Sequence, residues 1–169
     1  MKLRNLATIY IFNGDEILLM YRTGSRVFTG SLWAGIGGHF ENEELNDPTA
    51  CVLRELSEET GLTKNDICDL QLKYITIRMA TDEIRHQYIF FANLKSKDVS
   101  IQNSDEGQIS WIKLDQMLDL KMSLTNHACL KHFLSTGKND HHIYAGIATV
   151  VDNLPSINFC ALKAYSTAY

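Results

Sequence analysis

Two runs rich in β-branched and aromatic residues, 6–12 and 17–21, flank Asn13-Gly14-Asp15-Glu16 and predict an opening hairpin, because Asn-Gly readily takes the positive φ values of a tight turn. Residues 23–38 carry Gly24, Gly30, Gly35, Gly37 and Gly38. They are expected to form loop and short strand, with backbone free to approach a ligand. Asp47 before Pro48 reads as an N-cap and first helical residue, and Gly61 as a left-handed C-terminal residue, so a helix is predicted over 48–60. Strands are expected at 70–79, 87–94 and 108–114, helices at 115–120 and 125–134, and terminal strands at 143–151 and 157–161. The result is a mixed series of strands and helices, with hairpins too numerous for a purely parallel sheet.

Length and composition narrow the partners. The 169 residues suit one compact domain spanning 1–169. A net charge of −4 offers no global attraction for a long nucleic acid or an anionic membrane. With 45% hydrophobic and 21% charged residues the chain is expected to be ordered and globular. No apolar run approaches the roughly 18 residues of a membrane-spanning helix. Lys2 and Arg4 before residues 6–12 slightly resemble a signal peptide, but no small-residue cleavage site follows, so a first strand is the better reading. Cys51, Cys68, Cys129 and Cys160 are scattered and form no Cys-x-x-Cys pair, which predicts reduced thiols in a cytoplasm.

On the predicted helix, Glu55, Glu58 and Glu59 stand at i, i+3 and i+4 and project from one face, with Leu53 and Leu56 pointing away toward a core. A solvated acidic stripe is the ordinary explanation of such spacing. Such a stripe is normally relieved by Lys or Arg four residues on, whereas Glu55 meets Glu59, Glu58 meets Leu62 and Glu59 meets Thr63. Two carboxylates about 4 Å apart repel by roughly 4 kcal/mol at an effective dielectric near 20. A partly buried cluster must then take up a proton, splay apart or bind a cation. All-oxygen ligands favour Mg²⁺, Mn²⁺ or Ca²⁺, so a calcium-binding surface stays open beside a catalytic site.

The surrounding residues decide the reading. Gly37-Gly38-His39-Phe40-Glu41, then Glu44, then Arg54-Glu55-Leu56-Ser57-Glu58-Glu59-Thr60-Gly61-Leu62 resembles the signature of the Nudix hydrolases. The resemblance implies an α/β fold, an α/β/α sandwich built on a mixed sheet, and metal-dependent hydrolysis of a diphosphate linkage in a nucleoside diphosphate derivative, with Mg²⁺ or Mn²⁺ as cofactor. It implies that Glu58 and Glu59 ligate metal, that the Gly38 region brings backbone close to it, and that Glu55 binds metal or activates water. Arg54 matches the arginine that orients the cluster through a salt bridge, in the family usually with the glutamate corresponding to Glu44. Two departures stand out. The loop before Arg54 is two residues longer than the family pattern, which leaves open whether Glu44 or Glu41 reaches Arg54, and Ile36 stands where many relatives have proline.

Outside the signature, Arg22, Arg78 and Arg85 are candidates to draw an anionic substrate toward an acidic protein, and inside it His39 is a candidate to approach the phosphates. Glu106, before the 108–114 strand, sits where many Nudix enzymes place a further acidic ligand, although an exposed turn at Asp105-Glu106-Gly107 explains it nearly as well. Asn126 resembles by position the asparagine that reads an oxidised guanine in MutT-type members, but it also suits a helix N-cap. Phe28 and Trp33 could stack on a base or fill a core, and His141-His142 reads as an exposed loop pair. The resulting expectation is a pyrophosphohydrolase of nucleoside triphosphates, related to the MutT group and acting on oxidised purine nucleotides such as 8-oxo-dGTP. Alternatives are a nucleotide-sugar, ADP-ribose or dinucleotide pyrophosphatase, or a non-catalytic nucleotide-sensing module. The partner is a small nucleotide, and a homodimer, common among relatives, stays open.

Overall fold

The computed structural model describes residues 1–25, 28–102 and 106–164, with the side chains of 24–29 outside that description. Its strands are β1 (Lys2–Asn13), β2 (Glu16–Ser25), β3 (Phe28–Ala34), β4 (Ile67–Met79), β5 (Glu83–Leu94), β6 (Gln108–Lys113), β7 (Tyr144–Val151) and β8 (Leu154–Ala161). The helices are α1 (Pro48–Thr60), α2 (Leu114–Met117) and α3 (Leu124–Ser135). Among the described residues the strands form one sheet in the order β3-β2-β1-β5-β4-β7-β8, with β6 added on β2. β1 runs parallel to β5 and β4 parallel to β7, while the other pairings are antiparallel.

Alternation along the central strands assigns the layers, since successive side chains leave a strand on opposite faces. Ala7, Ile9 and Ile11 of β1, with Leu18 and Met20 of β2, pack with Cys51, Val52 and Leu56 of α1. Tyr10 of β1, with Ile17 and Leu19 of β2, packs with Met117 of α2 and Cys129 and Leu130 of α3. The sheet is therefore covered on both faces, as an α/β/α sandwich requires.

The α1 helix has the expected limits and caps: Asp47 accepts from Thr49 and Ala50 N–H, and Gly61 closes the helix at φ +75°. Other elements depart from the sequence pattern. In the opening hairpin Asn13 ends β1, and the turn is Gly14-Asp15 with Gly14 at φ +63°. The glycine-bearing segment expected to form loop and short strand lengthens β2 to Ser25 and supplies β3 through backbone pairing with β2. α2 is one turn long, and α3 is capped by Ser123, whose hydroxyl accepts from Asn126 N–H, so Asn126 is not the cap. No helix among the described residues is long and apolar enough to cross a membrane, and the four cysteines carry no disulfide.

Candidate active site

The site is built where the turn after β3 meets α1. Gly37, at φ +142°, passes so close to β1 that a Cβ would lie 2.1 Å from the Ala7 carbonyl oxygen. Only glycine tolerates both the dihedral and the approach. This closeness aims Gly37 N–H at the Glu59 carboxylate, 2.8 Å away. Gly38 lies directly against Glu55: a Cβ there would fall 2.5 Å from Oε1 and 2.7 Å from Oε2. Leu56, between the two glutamates in sequence, is fully buried under the sheet and fixes the roll of the helix.

The three helical glutamates do not share one environment. Glu55 and Glu59 are buried, whereas Glu58 is exposed. Burial raises the Glu55 pKa, with Arg54 opposing, and pushes Glu59 up to about 8, with Arg22 opposing. The expectation of an uncompensated acidic face needs correction. Arg54, four residues before Glu58, donates to Glu58 Oε2 at 2.8 Å and to Glu55 Oε1 at 3.0 Å. Counting forward from each glutamate missed this cation behind the cluster. A second arginine, Arg22 of β2, donates to Glu59 Oε1 at 2.8 Å and to the Gly37 carbonyl at 2.7 Å, and pairs with Glu106 at 3.1 Å.

Arg54 pairs with Glu44, not Glu41. Its Nε donates to Glu44 Oε1 at 2.7 Å and its Nη2 to Oε2 at 3.0 Å. A 3₁₀ turn, Asn42–Glu44, precedes α1, and beside it Glu41 N–H donates to Glu44 Oε2. Hydrogen bonding from Arg54 holds the Glu44 pKa down at about 2.

Arg22, His39, Arg78, Arg85 and Asn126 converge on a cleft of about 250 Å³. Arg4, Thr76 and Gln87 line it too and were missed, because their placement depends on strand register that no local motif encodes. Gln87 Nε2 donates to Asn126 Oδ1 at 3.2 Å and to Thr8 Oγ1 at 3.0 Å, which ties buried Asn126 to the sheet. His39 Nε2 lies 3.0 Å from Arg4 Nη1, and burial followed by Arg4 lowers its pKa, favouring neutral imidazole as acceptor. Trp33 packs with the α3-side core and tilts against Tyr21, while the side chain of Phe28 and all of Asp105 lie outside the described residues. His141 and His142 are exposed, as expected.

The donor set suits a hard divalent cation: carboxylate oxygens on one helix, two of them buried, beside a Gly38 backbone with no side chain to intrude. The arginine opposite them has a buried Nε with no partner among the described residues. As they stand, the carboxylates are turned to Arg22 and Arg54, and among the described residues no three acidic, histidine or cysteine side chains gather on one point.

Comparison with known proteins agrees with this geometry. The NUDIX domain profile matches residues 2–133. The chain belongs to the Nudix family of hydrolases. Its fold is similar to that of the mutator MutT protein from Bacillus halodurans, with TM-score 0.65 and 23% identity over 92% of this chain and 97% of that one. The MutT protein from Methanosarcina mazei Go1 aligns with TM-score 0.65 and 20% identity, covering 81% and 96% of the two chains. The Ap4A hydrolase of C. elegans aligns with TM-score 0.61 and 19% identity, covering 83% and 100%.

Proposed function

We propose that the protein hydrolyses a diphosphate linkage in a nucleoside diphosphate derivative, using Mg²⁺ or Mn²⁺ held by Glu55, Glu58 and Glu59 with the Gly38 backbone and Glu106 nearby. The observation that carries this reading is the burial of Glu55 and Glu59 against Gly38 and Gly37, at the edge of an arginine-lined cleft. When bound, the cation would neutralise phosphoryl oxygens and lower the pKa of an attacking water.

The remaining work falls to the chain itself. Arg54 holds Glu55 and Glu58 in fixed relation and is itself held by Glu44. Glu55 ligates metal or takes the proton of the attacking water. Arg22, anchored on Gly37 and Glu59, extends toward the phosphates that enter the cleft.

The more specific form of the proposal is a nucleoside triphosphate pyrophosphohydrolase acting on oxidised purines such as 8-oxo-dGTP. Asn126 supports it, because its amide oxygen is taken by Gln87 while its amide nitrogen has no partner among the described residues and can donate to a purine edge. A screen of canonical and oxidised nucleotides, nucleotide sugars, ADP-ribose and dinucleotide polyphosphates with either metal tests both levels. Release of pyrophosphate with preference for oxidised purines is expected. Release of two nucleoside monophosphates or a sugar phosphate would replace the specific form, and no turnover of any diphosphate would leave a nucleotide-sensing module.

A further inference from the structure

Strand register places three arginines in one row across the middle of the sheet. Arg4 of β1 is the Cα partner of Arg85 of β5, and Arg85 is the partner of Arg78 of β4. All three line the cleft, two residues outward along their strands from Leu6, Gln87 and Thr76. Like charges on directly opposed strand positions destabilise a sheet, so the row calls for counter-charge. The protein supplies only part of it. Buried Glu83 accepts from Arg4 through Oε2 and from Arg85 through Oε1, and Arg78 has no hydrogen-bond or ion-pair partner among the described residues. Three guanidinium groups thus face one carboxylate.

Resting on the reading above, we propose that the cleft takes substrates carrying a phosphate beyond the scissile diphosphate, seated on the row Arg4, Arg85 and Arg78. Planar guanidinium forks match phosphate oxygens two at a time. Adjacent strands lie about 4.8 Å apart, so the row spans about 10 Å, wide enough for one phosphate between two neighbours or a short phosphate chain along all three. A cleft of about 250 Å³ in a chain of net charge −4 does not suit a nucleic-acid polymer. The row shares that cleft with Arg22, which reaches Glu59 of the hydrolytic cluster, so its occupant belongs to the same small molecule. The extra phosphate sits either on the nucleoside sugar or in a longer phosphate chain.

Calorimetric titration in EDTA at physiological salt separates these sources without depending on turnover. One pair is adenosine 3′,5′-bisphosphate against adenosine 5′-monophosphate, the other ATP against ADP. At least one pair is expected to show a preference of roughly tenfold or more for the ligand with the added phosphate, the worth of one charged hydrogen bond. Arg78→Gln, at an exposed and unpartnered position, should reduce that preference to within about threefold. The preferred pair identifies the source. Equal affinities within both pairs, or a preference undiminished in Arg78→Gln, would overturn the inference. Turnover with Mg²⁺ reports on the parent reading separately: hydrolysis of diphosphates without any such preference defeats the arginine row alone, whereas preference without hydrolysis defeats the reaction alone.

Discussion

Arg54 and Glu44 are joined by two hydrogen bonds, Nε to Oε1 at 2.7 Å and Nη2 to Oε2 at 3.0 Å. The pair ties the 3₁₀ turn Asn42–Glu44 to α1, whose N-terminus is held by the Asp47 cap. Through Arg54 the position of Glu44 is transmitted to Glu55 and Glu58.

Replacing Glu44 by Gln removes half of this clamp. The variant is expected to lose about 2 kcal/mol of stability at pH 7, measured by urea unfolding. The native Glu44 pKa is depressed to about 2, so the pair's contribution is complete above the ordinary glutamate value and disappears as pH falls toward 2. The stability gap between parent and Glu44→Gln should therefore narrow on acidification. A gap that stays constant from pH 7 to pH 2.5 would show that the carboxylate charge contributes nothing.

Gly37 and Gly38 are adjacent but should respond differently to alanine. At Gly37 the new Cβ meets the backbone of Ala7 at a positive φ, so Gly37→Ala should cost about 3 kcal/mol of stability. At Gly38 its three nearest atoms all belong to the Glu55 carboxylate, the far end of a flexible side chain that can swing away. Gly38→Ala should keep its thermal midpoint within a few degrees and lose hydrolytic rate by tenfold or more. Equal rates in Gly38→Ala and parent would remove Glu55 and Gly38 from the chemistry.

Asn126→Ala tests purine reading. Discrimination between an oxidised purine nucleotide and its canonical counterpart, measured as the ratio of kcat/KM values, should fall by roughly tenfold for one lost hydrogen bond. An unchanged ratio would assign Asn126 to packing with Gln87 alone.

The local features were legible because short-range chemistry determines them. Asp47-Pro48 and Gly61 delimit α1, and the Arg54-to-Leu62 spacing identified the family and the acidic face. Features set by long-range pairing were not. β3 forms because β2 offers it an edge despite Gly30, and Arg4 and Gln87 reach the cleft only through the β1–β5 register. The choice of Glu44 over Glu41 followed from where the 3₁₀ turn falls, which spacing alone left undetermined. Arg22 was picked out as a phosphate-binding candidate, but its anchorage on Gly37 and Glu59 joins residues far apart in sequence and required the folded chain.

The central claim is that the α1 carboxylates hold a divalent cation for hydrolysis. Electron paramagnetic resonance of free Mn²⁺, titrated with protein and nucleotide, reads that uptake directly. Parent protein should sequester Mn²⁺, and Glu58→Gln, altered at an exposed position that leaves the fold intact, should bind at least tenfold more weakly and lose nucleotide hydrolysis by orders of magnitude. Equal Mn²⁺ uptake and turnover in parent and variant, or no uptake by the parent with nucleotide present, would contradict the account.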